Sequence, residues 1–203
     1  MEMIPGPPKL STGPRVVALA CGVAVAGLTV TGISAAYAGA GFPTSAIADY
    51  AVSHYATGTT GGQCIIFAEQ VVDGTYAEHG LSHTFEGADA NGYYAVYAAA
   101  GAQLVGVATS GGPEAALSAA QRGDIIQLSP LSPSTSATPW FGGASDHQHT
   151  AVLLGAYTTD TEVIDSNWDE DGLVRVHPLQ DVLQWAERWG LELAVWSFGL
   201  PSG

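Results

Sequence analysis

Basic residues are scarce in this sequence. Lysine and arginine together number 5 against 19 aspartates and glutamates, so the formal net charge of the 203 residues is −14. A nucleic-acid-binding protein needs clustered positive side chains to neutralise phosphates, and this composition does not supply them. The charge therefore excludes nucleic acid as a general partner. The length suits one domain of ordinary size, and an apolar fraction of 47% excludes a wholly disordered chain.

The N-terminus has a positive start followed by a stretch without charge. Lys9 and Arg15 precede the apolar run Val16–Val30, and Ala36-Tyr37-Ala38 offers a cleavage site of the small-x-small type. This order is typical of a secretory signal peptide, which we assign to residues 1–38. An uncleaved anchor is the alternative, because the apolar stretch is long enough to cross a bilayer, and it would be the protein's only membrane contact. Either way, we expect an exported protein.

Cysteine is also scarce, with 2 residues, Cys21 and Cys64. Cleavage of the signal peptide would leave Cys64 alone, which excludes an internal disulfide. Cys64 is then a small buried hydrophobe, a partner in a disulfide between chains, or a working nucleophile. Its neighbours Gly61, Gly62 and Gln63 favour the nucleophile, because they place the thiol where a loop becomes a helix.

A helix N-terminus favours ionisation of a thiol through its partial positive charge and its free backbone N–H groups. The thiolate is the attacking form of cysteine, so Cys64 is well placed to act as a nucleophile. The same amides, with the side chain of Gln63, are candidates to bind the oxyanion of a tetrahedral intermediate. Gly61 and Gly62 are expected to leave room for a substrate.

The apolar periodicity predicts helices first and strands afterwards. Helices are expected over about 45–55, from Cys64 onward with one buried stripe (64, 67, 68, 71 and 72), over 91–103, briefly after Pro113, and over 178–189. Strands are expected over 124–128, 149–157, 162–168, 173–177 and 191–198. This order indicates an α+β fold in which N-terminal helices pack on a central antiparallel β-sheet. Residues 39–44 are a linker, and 45–203 form one domain.

A thiol nucleophile needs a base, and the base needs a group that orients it. Of the six histidines, His149 begins a buried strand directly after a long loop, where the sheet holds it beside an open cleft. His177 ends a strand and is interpreted as having no catalytic role. On the strand after His149, the period of two places Asp165 and Asn167 on one face. Either the carboxylate or the amide is expected to accept the imidazole N–H and select its tautomer.

Together these segments resemble the CHAP family of cysteine- and histidine-dependent amidohydrolases and peptidases, part of the papain-like superfamily that includes NlpC-type peptidases. The resemblance spans residues 47–198. Its motifs are Gly62-Gln63-Cys64, Gly123-Asp124-Ile125-Ile126, His149-Thr150-Ala151-Val152 and Asp165-Ser166-Asn167-Trp168.

The resemblance implies a papain-like fold with Cys64 as nucleophile, His149 as base and Asp165 or Asn167 as the orienting residue. It implies bacterial peptidoglycan as the substrate, cut within its peptides or between sugar and peptide. We expect a secreted or wall-associated monomer without a cofactor.

The chain departs from the family in several respects. Residues 65–67 are more aliphatic than usual, glutamate is more common at the position of Asp165, and a separate wall-binding module is missing. The negative charge would be repelled by anionic teichoic polymers, which argues against a broadly lytic enzyme. The long loop over 129–148 is a candidate lid or specificity element.

Three other interpretations fit parts of the sequence. An exported binding protein would use the same scaffold without catalysis. A metal-dependent hydrolase would use His147 and His149, completed by Asp165 or His177, as zinc ligands, but this leaves Cys64 without a role. The acidic run over 167–172 is similar to the start of a calcium loop. Pro178 occupies the position that needs a bidentate glutamate, so a β-hairpin turn is expected there instead.

Overall fold

The structure is a computed structural model that describes residues 41–85, 93–108, 112–130 and 148–199. The predicted signal peptide (1–38), the start of the linker, His147 and most of the predicted lid lie outside the described residues. Within these ranges, every helix is too short or too polar to span a membrane.

The helices follow the predicted order. They are α1 (Ser45–His54), α2 (Cys64–Glu78), α3 (Tyr93–Ala99) and α4 (Leu179–Trp189), with a short 3₁₀ helix at Pro113–Leu117. The predicted stripe of α2 is confirmed, since all five of its residues are buried. The third helix was predicted to reach residue 103, which is wrong because it ends at Ala99 and the chain enters a strand at Gln103.

A six-stranded antiparallel sheet forms the centre of the described residues. Its strands are β1 (Gln103–Ala108), β2 (Ile125–Pro130), β3 (His149–Leu153), β4 (Glu162–Ser166), β5 (Val174–Pro178) and β6 (Leu191–Ser197). They lie in the order β1-β6-β2-β3-β4-β5. This arrangement confirms the predicted α+β class, with N-terminal helices packed against an antiparallel sheet.

The sequence pattern does not predict strand β1. It pairs with β6, and the register shifts between Leu104 and Gly106. A Cβ at Gly106 would lie 2.2 Å from the carbonyl oxygen of Ala116 in the 3₁₀ helix, so only glycine allows this close approach. The alanine-rich segment before β1 continues a helical pattern, and long-range pairing with β6 ends the helix earlier.

Each face of the sheet is covered by its own apolar core. One core joins α1, α2 and α3 to the sheet through residues that include Phe67, Tyr97 and Val152. The other joins α4 and the 3₁₀ helix to the opposite face through Leu128, Leu153 and residues of α4 such as Leu183. Alternation along the strands produces this division, because neighbouring residues such as Val152 and Leu153 point to opposite faces. This packing places α2 against β3 and β4.

Candidate active site

Cys64 is the first residue of α2, as the sequence predicts, and it is 4% exposed. The first helical hydrogen bond runs from the Phe67 N–H to the Gln63 carbonyl oxygen over 2.9 Å. The backbone N–H groups of residues 64–66 therefore have no acceptor within the helix. The backbone N–H of Thr150, the second residue of β3, hydrogen bonds to the sulfur of Cys64.

The loop before Cys64 is hydrogen bonded to the turn between β4 and β5. The N–H groups of Gly61 and Gly62 donate to the Gly172 carbonyl over 2.9 and 3.1 Å, and the Ser166 hydroxyl donates to the Gly62 carbonyl over 2.8 Å. A Cβ at Gly61 would lie 2.6 Å from the Ser166 hydroxyl oxygen, so this contact requires glycine. The prediction that Gly61 leaves room for a substrate is therefore wrong, because the protein's own side chains fill that space. Gly62 has a φ of 75°, and a Cβ at this position would have no other heavy atom within 4 Å.

His149 stands between Cys64 and Asp165. Its Nε2 donates to Asp165 Oδ2 over 2.8 Å, and its imidazole also hydrogen bonds to the Cys64 side chain. Because Nε2 is taken by Asp165, Nδ1 is the ring nitrogen left for the sulfur. Asp165 pairs with Ala151 across β3 and β4, so its side chain lies on the same face of the sheet as that of His149. The fold thus brings together three residues that are distant in the sequence.

Cys64, His149 and Asp165 each stabilise the ionised form of a neighbour. Burial opposes ionisation of Cys64, but the adjacent His149 and the Thr150 N–H lower the pKa of the thiol overall. Burial also opposes a charge on His149, but Asp165 and Cys64 raise the imidazole pKa to about 10. The pKa of Asp165 is lowered despite its burial, because His149 and His177 donate to it. The arrangement therefore favours a thiolate beside an imidazolium, the pair that a cysteine nucleophile needs.

A buried polar network fixes the strand that carries His149. The amide nitrogen of Gln127 donates to the His149 carbonyl over 3.1 Å, and the Thr150 hydroxyl donates to Gln127 Oε1 over 2.7 Å. The Tyr97 hydroxyl donates to the same oxygen over 3.2 Å. These side chains are fully buried, so each hydrogen bond replaces water that would otherwise solvate the group. The network holds the Thr150 N–H towards the sulfur.

Asn167 lies beyond the end of β4, so the predicted alternation that would place it on the same face as Asp165 is wrong. Strand β4 ends at Ser166, and Asn167 has a left-handed φ of 68°. This φ turns its side chain towards the loop before Cys64, where Nδ2 donates to Gln63 Oε1 over 3.0 Å. Asn167 Oδ1 accepts the Gly172 N–H over 2.8 Å. Asn167 thus holds Gln63, and the Gln63 amide nitrogen is left to donate elsewhere.

Three side chains around the His149–Asp165 contact were not predicted from the sequence. His177 Nε2 lies 2.7 Å from the same Asp165 Oδ2. Trp168 packs against both imidazoles, with ring centroids 4.9 Å from His149 and 4.6 Å from His177, and Trp185 of α4 packs on Trp168. The β4–β5 hairpin could have indicated the position of His177. Residue 177 pairs with residue 163, and residues 163 and 165 lie on the same face of β4, so His177 lies on the face that carries Asp165.

The acidic turn after β4 binds a side chain of the protein itself. The Arg175 guanidinium lies 3.1 Å from Asp169 Oδ2 and hydrogen bonds to Asp171. The run is a turn that leads into β5, as predicted. His147 of the metal-dependent alternative lies outside the described residues, and among those the structure does describe there is no group of three or more side chains suited to hold a metal ion.

Comparisons of the chain with protein-family models, with curated proteins and with solved structures found no match.

Proposed function

We propose that this protein is an exported cysteine hydrolase that cleaves amide bonds through a Cys64–His149–Asp165 site. The observation that carries the proposal is the run of hydrogen bonds from Cys64 through His149 to the fully buried Asp165. Burying a carboxylate is unfavourable unless an oppositely charged group pairs with it. Here the His149 imidazolium would pair with both the Asp165 carboxylate and the Cys64 thiolate. The position of Cys64 at the first turn of α2 adds support, because the turn's free amides stabilise negative charge.

The first half of the reaction forms a thioester. The Cys64 thiolate attacks the carbonyl carbon of the amide, and the Cys64 N–H and the Gln63 amide nitrogen stabilise the resulting oxyanion. The His149 imidazolium then gives its Nδ1 proton to the departing nitrogen as the C–N bond breaks. The products of this half are a free amine and an acyl group on the sulfur.

The second half regenerates the enzyme. Neutral His149 takes a proton from water, the hydroxide attacks the thioester carbonyl, and the C–S bond breaks. The products are a carboxylic acid and the Cys64 thiolate beside an imidazolium. Throughout, Asp165 accepts the Nε2–H of His149, which keeps Nδ1 directed at the reacting atoms.

We propose that the finer fold is a papain-like fold of the CHAP type. We propose bacterial peptidoglycan as the substrate, cut within its peptides or between sugar and peptide. This follows from the resemblance of the motifs around Cys64, His149 and Asp165. The N-terminal composition supports export, which would bring the protein to that polymer.

The direct test is incubation of the purified protein with peptidoglycan, followed by mass spectrometry of the released fragments. We expect cleavage by the natural protein and none by Cys64→Ala, which leaves a small cavity near the surface of the core. Ser53→Ala, on the exposed side of α1, is the matched control and should cleave normally. Circular dichroism must show that all three proteins are folded.

The same experiment separates the alternatives. Unchanged cleavage by Cys64→Ala would rule out the cysteine mechanism. Binding of peptidoglycan without any released fragment would favour the non-catalytic binding protein.

Iodoacetamide should alkylate Cys64 rapidly well below about pH 8.5, the pKa of an ordinary thiol, and His149→Gln should remove this effect.

A further inference from the structure

Two imidazoles converge on a single carboxylate oxygen beside the candidate nucleophile. Asp165 Oδ2 lies 2.8 Å from His149 Nε2 and 2.7 Å from His177 Nε2. Because the carboxylate only accepts hydrogen bonds, both imidazoles donate an N–H to it. His177 is therefore protonated on Nε2, whatever the state of its other nitrogen.

The carboxylate depends on these two donors. Asp165 is fully buried, and among the described residues its second oxygen, Oδ1, has no hydrogen-bond partner. Removing one partner from a buried charge leaves that charge under-solvated, and the side chain then moves or becomes protonated. With His177 absent, His149 would be the one donor to Oδ2 left among the described residues.

The surroundings of His177 suit a fixed donor. The side chain is 11% exposed, and Trp168 covers its ring. Its Nδ1 lies 3.8 Å from Asp181 Oδ2 in the first turn of α4. The neighbouring cation on its own strand, Arg175, is bonded to Asp169 and Asp171 of the acidic turn. Among the described residues, the charged groups that face His177 are thus Asp165 from β4, Asp181 from α4 and the His149 imidazolium of β3, which donates to the same Asp165 oxygen.

We propose that His177 is a positioning residue that donates its Nε2–H to Asp165 and so holds the carboxylate against His149, which keeps the Cys64–His149 pair ionised. This inference rests on the proposed function, because it assigns a role within the same site. It adds a fourth member to that site, one that touches neither the sulfur nor a substrate.

The test is the pH dependence of Cys64 alkylation by iodoacetamide, followed by mass spectrometry of the intact protein. His177→Phe keeps a ring of similar size without a donor, and we expect its alkylation midpoint to rise by about one pH unit, or about tenfold slower alkylation below the midpoint. His177→Gln retains an N–H donor and should restore most of the natural profile. His54→Gln, at an exposed histidine of α1, is the control and should leave the profile unchanged.

A merely structural role would lower the melting temperature of His177→Phe without moving its alkylation midpoint, and this result would overturn the inference. A different result would contradict the proposed function. In that case the natural protein itself would show the pH dependence of alkylation that an ordinary thiol has. Where His177→Phe does not fold, the ¹⁵N chemical shifts of the histidines in the natural protein decide. A protonated Nε2 on His177 supports the inference, and an unprotonated Nε2 overturns it.

Discussion

Asp165 and Asn167 show how neighbouring polar residues acquire different tasks. Asp165 is in regular β conformation and directs its carboxylate at two imidazoles, whereas the left-handed φ of Asn167 turns its amide to Gln63. Asparagine adopts this conformation more readily than most residues, because its short side chain bonds locally to the backbone. Here that local bond is to the Gly172 N–H. One residue therefore supports the proposed base and the other supports the proposed oxyanion donor.

The two tasks predict different kinetic defects. Asp165→Asn should raise the alkylation midpoint of Cys64 and slow hydrolysis, by roughly 10²-fold or more, because His149 loses the charge that keeps it protonated. Asn167→Gly keeps the left-handed φ but releases Gln63, so hydrolysis should fall while the alkylation profile stays natural. Alkylation rates from pH 4 to 10 and turnover of peptidoglycan are the two measurements. Equal shifts of the alkylation profile in both variants would contradict this division.

At the scale of elements, the loop before Cys64 acts as an added segment at the β5 edge of the sheet. The Gly58 N–H donates to the Val174 carbonyl over 2.8 Å, the Val174 N–H donates to the Thr59 carbonyl over 2.8 Å, and Thr60 forms a bridge with Leu173. The start of α2 is consequently tied to the same hairpin that carries Asp165 and His177. These contacts hold Cys64, the proposed nucleophile, close to the hairpin strand that carries Asp165.

Crowding at Gly61 should loosen this connection. A Cβ there would lie 2.6 Å from the Ser166 hydroxyl and 2.7 Å from Val174 Cγ2, so Gly61→Ala must displace the loop. We expect a loss of stability of about 1–3 kcal/mol and, for a displacement on the order of 1 Å, a fall in turnover of roughly 10²-fold. Urea unfolding and the peptidoglycan assay measure the two effects.

Gly155→Ala is the matched control for Gly61→Ala, because its nearest neighbour, Thr161 Cγ2, is 3.9 Å away, which is ordinary contact. This variant should behave like the natural protein. Natural turnover in Gly61→Ala as well would show that the loop tolerates displacement.

At the scale of the whole domain, two fully buried carboxylates have opposite effects on stability. Asp165 has donors that lower its pKa, so it contributes stability above its ordinary pKa of about 3.9, and that contribution is lost as the pH falls. Burial raises the pKa of Asp124, at the turn into β2, to about 6, although it accepts the Gln121 N–H over 2.9 Å. Its protonated form is therefore favoured in the folded state, and this contribution is lost as the pH rises through about 6.

Asp124→Asn should separate the two effects. Between about pH 4 and 6 the natural protein should lose about 2–3 kcal/mol of unfolding free energy relative to the variant, because the Asp124 carboxyl must ionise while buried. Urea unfolding at four or five pH values in this range is the measurement. For Asp160→Asn, at an exposed position, the plot of unfolding free energy against pH should instead be parallel to that of the natural protein. Parallel curves for Asp124→Asn would contradict the expectation.

The order of most elements and the positions of Cys64 and His149 were predictable, because they depend on local properties of the chain. Apolar spacing marks the buried stripe of α2, glycines mark its start, and a Val- and Leu-rich run after a loop marks β3. Strand β1, the choice between Asp165 and Asn167 beside His149, and the second imidazole at His177 required the tertiary structure. Each of these depends on cross-strand register or on one backbone angle, and both are set by contacts between residues far apart in the chain.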